Sequence, residues 1–328
     1  MKIILSAALV IGYSSLTAQT YSDRFEATKY PIHLTSEFGL KGAVEHVISQ
    51  RFSLVGKNKW EADPYETQNV LGFDKSGYLQ FTHLINAEGD TTESSYYSYD
   101  ANKKLTEVKE VHRGQRGTFN TLHLFTYTEQ GKLAKIERGG RTKYERIYTY
   151  DELGRLLTDQ LLANGKQEFM DEYHYVGTTE KIDYVKNKQV DTFDFSATDK
   201  YGYDKKGKLK SIDHILDNPA YHFRNYEQRL DAQGNIVETI GGDSLVISEH
   251  YDHSYKAYNK KGDLIRSKLY VRTPGEGDVT GAIEITLTYD THDNWIERKE
   301  TSKYIYSLEG EEPNVSAERV TRKITYFD

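Results

Sequence analysis

One seven-residue unit, aromatic-Asp-x-x-Gly-x-apolar, recurs along the chain and constrains its fold more than any other feature. Phe73 (with Asp74, Gly77, Leu79), Tyr150 (Asp151, Gly154, Leu156) and Tyr203 (Asp204, Gly207, Leu209) open full copies, and Leu230 opens one with Asp231, Gly234 and Ile236. Tyr127 and Tyr258 keep the glycine, with Thr128 and Asn259 in the Asp position. Weaker copies begin at Tyr99, Tyr175 and Tyr289, where Lys103, Thr179 and Asp293 stand for the glycine, and Tyr326 opens a last one. Self-similarity at a period of a few tens of residues marks an array of supersecondary units.

The residue types explain the spacing. A hairpin loop of this length is a type I turn followed by one left-handed residue. Asp comes first because its carboxylate accepts a hydrogen bond from the amide two residues on. Gly follows because a positive φ costs it nothing. The aromatic and the apolar residue then face each other across the strands, as Tyr150 with Leu156 and Tyr203 with Leu209.

Before each turn the strand alternates, with Leu71, Tyr97, Phe125, Tyr148, Tyr173, Tyr201, Leu287 and Ile324 two residues upstream and only Gln228 and Lys256 breaking the pattern. After the turn, Leu105 and Val108, Leu133 and Ile136, and Leu209 and Ile212 lie three apart. Either a second bulge sits there or both faces are covered. Reversals between units are expected at Glu88-Gly89-Asp90, Gly114 to Gly117, Gly139-Gly140, Asn164-Gly165, Lys186-Asn187-Lys188 and Gly241-Gly242. The expected fold is all-β: an antiparallel meander of about 20 strands, elongated or curled, with no sustained helical period.

Composition narrows the classes. The chain has 328 residues, 27 of them tyrosine, and a formal charge of −7. That balance gives no electrostatic footprint for a nucleic-acid partner. The absence of cysteine removes disulfides, thiolate metal sites and a thiol nucleophile. Residues 1–18 read as a signal peptide, with Lys2 before the apolar run Ile3 to Ile11 and cleavage near Ala18. No later apolar run reaches the ~18 residues of a membrane-spanning helix. The organisation that follows is a leader over 19–38, mobile to about Ser36, capping strands over 39–72 and the array over 73–328. The expected address is exported, periplasmic or extracellular. The segment Glu318 to Asp328 reads as a final strand pairing with the region Ile283 to Tyr289.

The Y-D-x-x-G-x-L unit resembles the YD repeat of the RHS and teneurin superfamily and of small exported Bacteroidetes proteins. The opening Gly39-Leu40-Lys41-Gly42-Ala43-Val44, followed by a strand and Phe73-Asp74, is similar to the start of those small proteins. The resemblance implies the architecture over residues 39–328. The superfamily's large members wind into a hollow shell around a toxin. Here the units are too few for a large shell and no toxin domain follows Asp328, so a member without toxin delivery is expected. Other relatives imply a carbohydrate- or wall-associated surface.

Chemistry-bearing clusters are sparse. His250, His253, Glu249 and Asp252 are the densest histidine group. On a strand His250 faces with Asp252 and not with His253, short of the three or four convergent ligands of a zinc site. Glu309, Glu311 and Glu312 beside Pro313 read as a solvated loop tip and not as the opposed carboxylates of a glycosidase. No nucleophile elbow, zinc-protease helix or phosphate loop is present. Candidate binding residues are the irregular aromatics Trp60, Tyr221, Phe223 and Tyr270, with Arg113 and Arg116 for an anionic glycan. The periodic tyrosines read as ladders joining the units, with open sugar-stacking rings as the alternative. No cofactor, metal or catalytic residue is implied. The expected function is non-enzymatic presentation of a surface to an envelope glycan or a surface protein. The alternatives are a polysaccharide-acting enzyme with a groove site and a purely structural envelope component.

Overall fold

The computed structural model describes residues 30–55, 59–62, 68–114, 117–140, 142–189, 196–218, 225–241, 251–273, 277–306 and 314–328. The signal-peptide reading falls outside these residues. Within them the chain is an antiparallel meander of twenty-one strands without helix, from β1 (Val44–Val55) to β21 (Asn314–Tyr326). No helix among them is long and apolar enough to cross a membrane.

The expectation of an elongated or curled sheet is corrected: the sheet closes. β1 pairs on one side with β3 (Gln68–Phe73) and on the other with β21 along Val44 to Ser53, completing a 20-strand barrel. The short β2 (Lys59–Ala62) pairs with the far end of β1. The closing pairing also corrects the expected partner of the last strand. β21 lies between β20 (Trp295–Tyr306) and β1, not against the Ile283 to Tyr289 stretch. The reason is general: an edge left open demands a partner, and the first strand supplies it.

The turns show why the sequence unit repeats. In the copy at Asp74 the carboxylate accepts from the Ser76 amide at 2.8 Å, and Asp204, Asp231 and Asn259 do the same two residues on. Gly77, Gly131, Gly154, Gly207, Gly234 and Gly262 all have φ between 77° and 92°, and Lys103 and Asp293 take φ of 62° and 66°. The expected facing pairs form, Tyr150 with Leu156 and Tyr203 with Leu209 among them. The copy at Tyr175 differs. Its left-handed residue is Gly177 (φ 55°), not Thr179, and Tyr175 pairs with Ile182 around a loop one residue longer.

The three-residue spacing after each turn is a second bulge. Tyr99 pairs with Leu105, but Ser98 pairs with Glu107, so Thr106 is the extra residue. Leu105 and Val108 thereby return to one face and are both buried. That face, carrying the tyrosines, holds most of the apolar core, with Leu79, Leu105 and Ile136 fully covered. The opposite face is mostly polar. Asn164 (φ 48°) and Gly165 (φ 78°) make the two-residue reversal expected of them. Lys186-Asn187-Lys188, expected as another, instead lies inside β12 (Ile182–Gln189).

Successive turns are bolted together by tyrosine. The hydroxyls of Tyr99, Tyr127, Tyr150, Tyr175, Tyr203 and Tyr258 each donate to the backbone carbonyl of the preceding unit's apolar residue, at 2.7–3.0 Å. The residue before that apolar position covers the ring: Lys104 over Tyr127, Lys132 over Tyr150, Arg155 over Tyr175 and Lys181 over Tyr203. Each hydrogen bond contributes about 0.5–1.5 kcal/mol and each exposed cation–π contact about 0.5–1 kcal/mol.

The stretch from Tyr30, expected as part of a mobile leader, is docked on the tyrosine face. The Tyr30 hydroxyl meets that of Tyr127 at 3.3 Å, and its ring stands edge-on to Phe125. The Thr35 amide donates to the Gly77 carbonyl at 2.9 Å, and buried His33 sits against Tyr78 and Tyr99.

Two expected outcomes test this account. Gly154→Val places a β-branched residue at φ 80°, with its Cβ against the Lys132 ammonium that crosses the turn. It should destabilise the barrel by about 1–3 kcal/mol in thermal or urea melts. Deleting residues 318–328 removes the strand joining β20 to β1. Size-exclusion chromatography should then show aggregation or domain swapping, with a lowered melt.

Candidate functional site

Two features of the wall stand apart from the periodic scaffold, one on each face. The first is a polar row on the tyrosine face, crossing β9 (Tyr144–Tyr150) to β15 (Tyr226–Leu230). Arg146 on β9 grips Asp159 on β10 (Leu156–Ala163) with two hydrogen bonds, Nε to Oδ1 at 2.7 Å and Nη2 to Oδ2 at 2.6 Å. Asp159 stands directly opposite Asp171 on β11 (Lys166–Tyr175), and Asp171 accepts from the Asn187 amide nitrogen at 2.6 Å. On β13 (Ala197–Tyr203) Asp199 meets His214 of β14 (Leu209–Leu216), Oδ1 to Nδ1 at 2.6 Å. The His214 ring stacks on Tyr226 at 4.5 Å.

Asp159 and Asp171 are only 5% and 8% exposed. Burial pushes the Asp171 carboxyl up to about 7, with the charges of Asp159 and Asp199 adding to the rise, while the Asn187 amide and Arg146 oppose it. Burial also raises the phenols of Tyr148 and Tyr173, which flank the row. One guanidinium thus faces two opposed carboxylates, a balance that is neutral when Asp171 keeps its proton. These two opposed carboxylates are therefore buried in the wall, each with a hydrogen-bonding partner. Among the described residues no group of three or more His, Asp or Glu is placed to hold a metal ion.

The second feature is a depression of about 300 Å³ on the polar face, crossing β17 (Tyr251–Tyr258), β18 (Leu264–Thr273), β19 (Gly277–Tyr289) and β20. Its register is two parallel rows, His253–Tyr270–Thr280–Ile305 and Tyr255–Lys268–Ala282–Lys303. The short side chains of Thr280 and Ala282 on β19 leave the floor low between taller neighbours. Tyr255 and Ile305 are 48% and 40% exposed. Tyr255 lies against the His253 ring at 4.2 Å, and His253 Nε2 is 2.8 Å from Glu238 Oε1, which fixes that wall.

Of the residues singled out from the sequence, Tyr270 lines this depression. Trp60 does not. It is half-buried on β2, beneath the Arg319 guanidinium at 5.2 Å, which also covers Phe52. Arg113 is exposed and reaches the Ser94 hydroxyl at 3.3 Å. Tyr221, Phe223, Arg116, the His250–Glu249 half of the histidine group and the Glu309 to Glu312 tip lie outside the described residues. Sequence reading missed Asn187, whose Lys-Asn-Lys setting looked like a turn, and the Asp159–Asp171 pairing, which depends on register. It also passed over Tyr255, although its alternation with His253 on one strand was a usable signal.

No protein-family model and no curated protein matches the chain. Among solved structures it is similar to TcdB2-TccC3, with 12% identity, 80% of this chain covered and a TM-score of 0.29. The chain spans 18% of that structure's length. It is also similar to a porin-like protein from Bacteroides uniformis, with 9% identity, 87% of this chain and 98% of the other covered, and a TM-score of 0.34. A porin-like protein from Bacteroides vulgatus gives 11% identity over the same shares, with a TM-score of 0.25.

The polar row yields a pH prediction. The folded Asp171 value is raised above the ordinary ~3.9, so its contribution is fully present below that value and is lost as pH rises through about 7. Asp171→Asn should leave stability at pH 4 nearly unchanged. At pH 8 it should raise stability by roughly 2–4 kcal/mol, measured by urea unfolding at both pH values.

Proposed function

We propose that the chain is an exported, non-enzymatic β-barrel of the YD-repeat type that binds a glycan of the cell envelope on its polar face. The observation that carries this is the depression across β17 to β20, a shallow site with aromatic walls and a small-residue floor. Sugar rings are flat, with C–H groups on one face and hydroxyls at the rim. A pocket with tyrosine rings at its side and polar groups at its edge suits them.

The wall chemistry supports a barrel in an aqueous compartment. A lipid-facing wall needs an apolar band on one face. Here Lys186, Lys200, Lys268 and Lys303 interrupt the polar face, and Arg146 and Asp159 the tyrosine face. The repeated turn geometry and the tyrosine bolts support the YD-repeat assignment.

A second reading, a polysaccharide-acting enzyme, draws on the opposed carboxylates of Asp159 and Asp171. The burial of both and the Arg146 clamp on Asp159 favour a place in the packed wall over a catalytic one. Hydrolysis of polysaccharide abolished by Asp159→Asn would establish the enzyme instead.

The test is a glycan array with the protein lacking residues 1–18. Binding to at least one class is expected, reduced at least tenfold by Tyr255→Ala. An array without any binding would overturn the reading in favour of a structural envelope component.

A further inference from the structure

We propose that the depression on β17 to β20 selects a carboxylated sugar, with Lys268 and Lys303 supplying the charges that hold its carboxylate. This rests on the glycan reading and narrows it to a substrate class.

The argument is charge complementarity. Several cations on this face meet a carboxylate, Lys299 with Glu297 at 3.2 Å, Arg266 with Glu284 at 3.6 Å and Arg229 with Glu238 at 2.8 Å. Others, such as Lys186 and Lys200, form no ion pair among the described residues and lie outside the depression. Lys268 and Lys303 form no ion pair among the described residues. Register places them on either side of Ala282, on strands two apart. Strand spacing puts their backbones about 10 Å apart. Two flexible four-carbon stems of that separation can converge on one carboxylate above the Ala282 methyl.

The rest of the pocket fixes what carries the carboxylate. Tyr255 stands on the β17 side of the lysine pair, and Tyr270 and Ile305 lie in the neighbouring row, two residues along from Lys268 and Lys303 on their own strands. A ring seated against the tyrosines would direct a substituent toward the ammonium groups. A neutral sugar would fill the same walls and leave both ammonium groups without a counterion. The Glu238 carboxylate is held at the far wall by His253 and Arg229, so it does not neutralise the lysines.

Isothermal titration with tetragalacturonate, cellotetraose and a sulfated tetrasaccharide, on wild type, Tyr255→Ala and the double variant Lys268→Gln/Lys303→Gln, tests this. Both lysines are exposed, so the double variant should fold with an unchanged melt. Tetragalacturonate is expected to bind, with affinity falling as salt rises. The double variant should lose at least tenfold and most of the salt dependence. Cellotetraose binding as tight as tetragalacturonate, or tetragalacturonate binding untouched by the double variant, would overturn the proposal. If Tyr255→Ala still abolished cellotetraose binding, the glycan reading would stand while the acidic assignment fell. Tighter binding of the sulfated probe would overturn the carboxylate choice, and failure of all three probes on an array-positive protein would overturn the acidic class.

Discussion

The barrel depends on a hydrogen bond too small to be conspicuous in any one unit. A tyrosine hydroxyl reaches back one unit and donates to a backbone carbonyl beside the previous turn. That carbonyl belongs to the apolar residue followed by the extra, bulged residue, where the ladder leaves an acceptor to satisfy. Phenylalanine would fill the same space and leave the acceptor without its partner. This explains why the chain spends so much of its apolar content on tyrosine rather than on aliphatic residues. In four joints the cation over the ring comes from the unit that supplies the carbonyl, so charge and hydrogen bond tie the tyrosine to the same neighbour.

Closure required that joint to change chemistry. Toward the C-terminus the cation position carries Asp263 and Asn294. The Tyr289 hydroxyl donates to the Asp263 carboxylate at 2.6 Å. Asn294, only 2% exposed, donates to the Tyr326 hydroxyl at 2.8 Å and exchanges hydrogen bonds with both backbone groups of Lys41, at 2.7 and 2.8 Å. Lys41 lies just before β1. The last full turn therefore clasps the chain at the point where the first strand begins, and Phe327 adds a backbone bond to Ala43 at 2.8 Å. Charge would be costly at so buried a place, whereas an amide offers a donor and an acceptor at once.

What the sequence made legible follows from this division between local and distant constraints. The turn at Asp151 to Gly154 is encoded within seven residues, so its geometry and the Tyr150–Leu156 pair could be read directly. The bulge at Thr106 was half legible, as a break in parity with two explanations. Closure was not legible, because nothing near Val320 or Ile324 names β1 as a partner; a final strand with an apolar face fits any free edge. The same limit hid the polar row. Asp159 and Asp171 look like ordinary strand carboxylates until the Leu161–Phe169 register sets them face to face. Tyr270 was found as an aromatic outside the period, but its neighbour Tyr255, on a strand that ends in the regular joint Tyr258, was passed over.

The two faces of the wall are therefore under different demands. On the tyrosine face a changed ring or turn residue disturbs a joint to the next unit, and buried groups such as Arg146 and Asp159 must keep each other. On the polar face a side chain between two strands answers only to its cross-strand neighbours, each pair contributing about 0.2–1 kcal/mol. Substitutions there cost the barrel little. The depression uses that freedom: Thr280 and Ala282 surrender side-chain volume on β19 while Leu269, Val271, Ile283 and Ile285 keep the core behind it packed. A site can be carved on one face because the other face carries the stability.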